Sequence, residues 1–132
     1  MSSYIKIEDL ELPSPKRGVK PTVATVVNEG RNANATIVGQ KIGRDQFKID
    51  ELEWPWLSAS QWSTILKKLS KFVVDVTFTN PVTNKKITIE MYCGNRTAEP
   101  YYLDDSTAKP TYYRNCKVNL IDMGRPIKWS EG

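Results

Sequence analysis

The chain of 132 residues has no histidine. Histidine is the usual proton carrier near neutral pH, so Ser-His and Cys-His nucleophiles are excluded. Cysteine is almost as scarce. Cys93 and Cys116 lack C-x-x-C spacing, which argues against zinc and leaves them as buried, reduced thiols in strands. No phosphate-binding loop, dinucleotide fingerprint or EF-hand loop occurs. No run approaches the roughly 18 apolar residues of a membrane span, and the opening MSSYIKIEDL has no secretory h-region. The expectation is a cytoplasmic chain that leaves the cell only by lysis, as part of a particle. Internal repeats and low-complexity segments are also missing.

Carboxylates are plentiful but poorly placed for catalysis. Asp50, Glu51 and Glu53 lie in a strand, where neighbours point to opposite faces, and Asp104-Asp105 falls in a loop where such pairs are solvated. No catalytic residue, cofactor or metal is expected. The net charge is +4, yet Lys and Arg are interleaved with Asp and Glu along the chain. That pattern describes a mixed solvated surface, and no specific nucleic-acid binding is expected from it.

What the chain does contain is a strand, a helix and a strand over residues 47–78. Ser58 and Gln61 form an S-x-x-Q capping box. Beyond it, Trp62, Ile65, Leu66 and Leu69 make one apolar helical stripe, while Thr64, Lys67, Lys68 and Lys71 take the other face. Trp62 is therefore read as core. Val74, Val76 and Phe78 alternate with Asp75 and Thr77, the pattern of a half-buried strand on which the helix lies.

Other strands flank this unit. A short bent strand covers residues 4–12 and ends at Pro13-Ser14-Pro15; a β-branched strand at 22–27 is closed by an Asn28-Glu29-Gly30 turn. Residues 36–49 read as a hairpin turning at Gly43-Arg44-Asp45. In its return arm Phe47 and Ile49 have one phase and Leu52, Trp54 and Trp56 the other, with the switch at Asp50-Glu51: either a bulge there flips the buried face, or the strand is covered on one side at its start and on the other at its end. Strands 72–79 and 85–92 pair across a five-residue loop, with Ile87, Ile89 and Met91 inward. Residues 94–112 are expected as a long irregular loop, and 113–122 as the last strand, with Cys116, Val118 and Leu120 inward.

The sum is a mainly β domain over residues 1–123, a sandwich or barrel of six to eight largely antiparallel strands with one amphipathic helix packed on it. Residues 124–132 read as a C-terminal tail. Of the aromatics, Tyr101, Tyr102, Tyr112, Tyr113 and Trp129 are expected to be exposed, and Trp56 sits at a strand end beside the helix cap.

The order of motifs adds a resemblance. Arg31-Asn32-Ala33-Asn34, Glu51-Leu52-Glu53-Trp54 with Leu57-Ser58, and Gly94-Asn95-Arg96-Thr97-Ala98 follow one another as in small tail-region proteins of phages and prophages of Gram-positive bacteria. The chain resembles that group over about residues 3–123, with Ala35 and Asn95 where a glycine and an aspartate are expected. The resemblance implies a structural subunit of a tail tube or distal hub, packed in a sixfold ring as in the group it resembles, against copies of itself and other tail proteins. It implies no active site. Candidate interface residues are Arg31, Asn32, Asn34, Arg44, Arg96, Tyr101, Tyr102 and Trp129. A monomeric module binding single-stranded nucleic acid or carbohydrate is the competing reading, resting on the aromatics and the positive charge; an enzyme is the third.

Overall fold

A computed structural model of the chain describes residues 4–25, 27–31, 37–41, 44–103 and 106–131, the side chains of 27–31, 37–41, 102 and 103 excepted. Ten strands and one helix occur among them: β1 Lys6–Ile7, β2 Leu10–Glu11, β3 Lys20–Ala24, β4 Val27–Arg31, β5 Ile37–Lys41, β6 Gln46–Ser58, α1 Ala59–Leu69, β7 Val74–Asn80, β8 Lys85–Leu103, β9 Pro110–Asp122 and β10 Trp129–Ser130. The main sheet runs β2-β1-β7-β8-β9-β6-β3, with β10 added on β8, and every pairing is antiparallel.

This sheet is curled. Between β6 and β7 lie two other strands, which in a flat sheet would separate them by about 14 Å, three steps of about 4.8 Å. Instead the rings of Phe47 and Phe78 meet edge to face with centroids 5.7 Å apart. The two ends of the sheet thus face each other across a core of Ile5, Ile7, Leu52, Trp54, Val76, Ile89, Met91, Val118 and Leu120. Residues 12–19 link the two ends: Trp54 Nε1 donates to Pro13 O at 2.9 Å, and Lys16 N to Glu53 O at 2.7 Å. The expected mainly β, largely antiparallel fold with one helix is the architecture observed.

The helix begins as its sequence requires. Ser58 Oγ accepts from Gln61 N at 3.2 Å and Gln61 Oε1 accepts from Ser58 N at 3.0 Å, so two end-of-helix N–H groups find partners. Trp62, Ile65 and Leu69 are buried against the sheet; Leu66, at the margin of the stripe, is only partly so. Lys68 and Lys71 on the outer side pair with Asp9 and Glu8 in the β1–β2 turn. The bulge at Asp50-Glu51 is also present. The β6–β9 register shifts between Ile49 and Leu52, and Glu51 takes a φ of 58° that flips the buried phase from Phe47/Ile49 to Leu52/Trp54.

Three expectations are corrected. The 36–49 hairpin does not form: β5 pairs with β4, whereas β6 pairs with β3. Ala24 opposes Gln46 at the end of one ladder and Val27 opposes Lys41 at the start of the next, so the two ladders are successive parts of one long antiparallel hairpin. Asn28-Glu29-Gly30 lies within β4, and the apparent turn at Arg44-Asp45 is a kink, held by Arg44 on Asp122 and by Thr25 Oγ1 on Asp45 at 3.3 Å.

The second correction concerns 94–112. β8 runs to Leu103 and β9 starts at Pro110, so most of this segment is hairpin. Its turn-like residues are absorbed by register shifts between Cys93 and Arg96 and between Thr97 and Glu99, and Pro110 takes the first position of its strand, where no ladder N–H is required. Third, residues 124–131 are not a free tail. Met123 N bonds Glu90 O at 3.0 Å, the chain loops out, and Lys128 N returns to Thr88 O at 2.9 Å, placing β10 beside β8 in the lane that β9 has left.

Candidate functional site

The β6–β9 ladder extends from Lys48 opposite Ile121 to Ser58 opposite Tyr112. The β3–β6 hairpin leaves the sheet at the first end of this ladder, and the β8–β9 hairpin continues past the other. Of the expected interface residues, Arg44 stands at the first end and Tyr101 at the other.

At the first end, Arg44 grips Asp122. Its Nη1 and Nη2 donate to the two carboxylate oxygens at 2.6 and 2.8 Å, and Nε donates to Arg125 O at 3.0 Å. Asp122 also accepts from Phe47 N at 3.0 Å and from Gly124 N at 2.8 Å. Burial by itself would raise the Asp122 carboxyl, but the Arg44 guanidinium and the two backbone N–H groups outweigh it and hold the group below the ordinary carboxylate range. Arg44, expected as a free contact residue, thus joins the base of the hairpin to the end of β9 and to the C-terminal segment. Arg31 continues β4, its side chain outside the described residues; Asn32 and Asn34 lie outside them altogether.

Arg96 stays exposed but also has a partner within the chain: its Nη1 donates to Leu69 O at 3.0 Å, at the last turn of α1, where the helix carries unsatisfied carbonyls and partial negative charge. The surrounding Gly94-Asn95-Arg96 motif is a bulge device. Asn119 Oδ1 receives Asn95 N at 3.0 Å and would stand 2.7 Å from a Cβ at position 94, so a side chain there would have to displace the Asn119 amide.

At the opposite end stands an aromatic platform on the outer face of three strands. Trp56 on β6 lies opposite Arg114 on β9, and Tyr101 on β8 opposite Tyr112 on β9. Tyr101 and Tyr112 stack with centroids 5.8 Å apart, Trp56 meets Tyr112 edge-on at 6.2 Å, and the Arg114 guanidinium sits 5.2 Å from the Tyr101 ring centre. Trp56 is 61% exposed and Tyr101 39%. Tyr101 was expected here; Trp56 was not, because by alternation it shares the inward phase of Leu52 and Trp54. Beyond Trp54 the strand passes the edge of the core, and Leu57 takes the buried position under the helix cap instead. The Pro55 preceding Trp56 was the available signal. The Tyr102 side chain lies outside the described residues.

Two more aromatics are exposed elsewhere. Trp129 is 52% exposed on β10, although its backbone pairs with Thr88. Phe72, expected as the first residue of a strand, lies ahead of β7, is 70% exposed and stacks on Tyr92 with centroids 5.6 Å apart. Neither cysteine is bonded to the other. Cys116 is buried and Cys93 half-buried, and burial pushes both thiols up, away from the reactive thiolate. Among the described residues no group of three His, Cys, Asp or Glu side chains is placed to hold a metal ion, and no helix is long and apolar enough to cross a membrane.

Comparison with family models, characterised proteins and solved structures finds no match.

Proposed function

We propose that the chain is a structural subunit of a phage tail or tail-like particle, a tube or hub protein that closes into a ring with copies of itself and docks on other tail proteins. The observation that carries this reading is the long β3–β4/β5–β6 hairpin. It continues off the sheet, and among the described residues β4 and β5 pair only with each other, which leaves a strand edge on either side. Proteins that stay monomeric cover or blunt such edges, whereas a ring built from one chain needs two different, mutually complementary surfaces on each copy. The motif order adds support. On this reading the protein resides in the particle, after assembly in the host cytoplasm, and needs neither a membrane nor a nucleic-acid site.

The test is to replace residues 26–43 by an Asn-Gly turn that closes the β3–β6 ladder directly. Light scattering and electron microscopy of the wild-type chain should show rings or stacks. The trimmed chain should keep its circular dichroism and remain monomeric. Rings formed without the hairpin overturn the proposal, as does a wild-type chain that stays monomeric at every concentration.

A further inference from the structure

The platform of Trp56, Tyr101, Tyr112 and Arg114 lies at the other end of the β6–β9 ladder from the proposed assembly hairpin and needs a separate account. We infer that it is a carbohydrate-binding site, taking a pyranose ring of a glycan against the exposed face of Trp56, with Arg114 and the Tyr101 hydroxyl bonding the sugar's oxygen atoms. The inference does not rest on the assembly reading.

Its first support is exposure on a rigid base. Trp56, at 61%, is among the most exposed large apolar side chains, yet it sits on a strand paired along its length and not on a loop. A ring held this way loses little freedom when a ligand stacks on it. The indole face is electron-rich, and the C–H bonds on one side of a pyranose present a slightly positive, apolar surface to it. Beside the indole, Trp56, Tyr112 and Arg114 line an open groove of about 400 Å³. That volume falls in the range of small-ligand sites, which combine aromatic walls with a few fixed polar groups.

The polar groups decide the class of ligand. Arg114 has no carboxylate partner among the described residues; Glu99, directly across from it, is taken by Asn115 Nδ2 at 3.1 Å. The guanidinium is fixed over Tyr101 and still offers planar N–H donors, which suit hydroxyl, ring or carboxylate oxygens. A single-stranded nucleic acid would need a continuous basic track along its phosphates. Here one cation stands with Glu99 beside it, and Lys117 further along β9 is engaged by Glu51 at 3.1 Å. The charge balance fits a neutral or singly acidic sugar and opposes a polyphosphate.

The experiment is binding of the full chain to an array of immobilised glycans covering neutral, amino and uronic sugars, followed by NMR titration with the soluble form of any glycan retained. An oligothymidylate is titrated in parallel. Binding should move the Trp56 indole N–H resonance, and Trp56→Ala should weaken it by about tenfold or more, the loss of one stacking ring. Trp129→Ala should leave it unchanged, and both variants should keep the wild-type NMR dispersion. Four outcomes overturn the inference: no glycan retained, a retained glycan bound equally by Trp56→Ala, salt-sensitive oligothymidylate binding through Trp56 with no glycan bound there, or a Trp56→Ala effect confined to self-association.

Discussion

Arg44 and Asp122, far apart in sequence, meet in a two-pronged pair of 2.6 and 2.8 Å whose carboxylate is almost fully buried and also receives the N–H groups of Phe47 and Gly124. This pair stands where the hairpin, β9 and the C-terminal segment converge. Asp122→Ala should destabilise the chain by about 3 kcal/mol, because it leaves a guanidinium and two N–H groups without their acceptor. The pair also gives the fold a pH dependence. Since the folded carboxyl is held below its unfolded value, its contribution is fully present above the unfolded pKa, about 4, and is lost as pH falls through the lower folded value. Urea titrations at pH 7 and pH 3 should show a loss in the wild type that is smaller in Asp122→Asn.

The helix stripe makes a graded prediction. Ile65→Ala, at a position 2% exposed, should cost about 3 kcal/mol; Leu66→Ala, half out of the stripe, should cost less, and Lys67→Ala almost nothing. Denaturant midpoints with unchanged slopes check the order.

Arg96 separates a folding role from a contact role. If its part is to receive the helix end at Leu69 O, Arg96→Ala should lower stability by about 1 kcal/mol in the isolated chain, and Arg96→Lys should recover part of it. An Arg96→Ala chain as stable as wild type but defective in particles would return the residue to a contact role.

Glu51 tests the bulge. With φ at 58° the position suits glycine, so Glu51→Gly should leave the thermal midpoint unchanged or higher despite the lost contact with Lys117, whereas Glu51→Val should lower it. Two melting curves decide the matter.

Removing residues 127–132 takes away β10 and the contact of Lys128 with Asp75, both Nζ distances being 3.1 Å. The chain should still fold, because the core ends at β9. Amide exchange at Lys86, whose N–H is held by Glu131 Oε2 at 3.0 Å, should speed up, while exchange at Ile89 should not.

Much of this molecule is written locally. The S-x-x-Q box, the stripe from Trp62 to Leu69, the alternation in β7 and β8 and the phase flip at Asp50-Glu51 each depend on neighbours a few residues away. Local sequence therefore determined the helix, its buried face, the bulge and the mainly β character. Partner choice is different in kind. Arg44-Asp45 has the composition of a turn, and only the carboxylate of Asp122, brought in by β9, holds it as a kink beside the β3–β6 ladder. Gly94 and Pro100 look like loop punctuation until β9 pairs beside them and Asn119 fills the space above the glycine. Trp56 has the phase of a core residue, and it is the curl of the sheet, ending the core at Trp54 and Leu57, that turns it outward into the platform with Tyr101, Tyr112 and Arg114. Arg44 and Arg96 carry the composition of contact residues, but their carboxylate and carbonyl partners come from distant strand and helix ends, so only the tertiary structure could tie them to the fold and leave Trp56 on the surface.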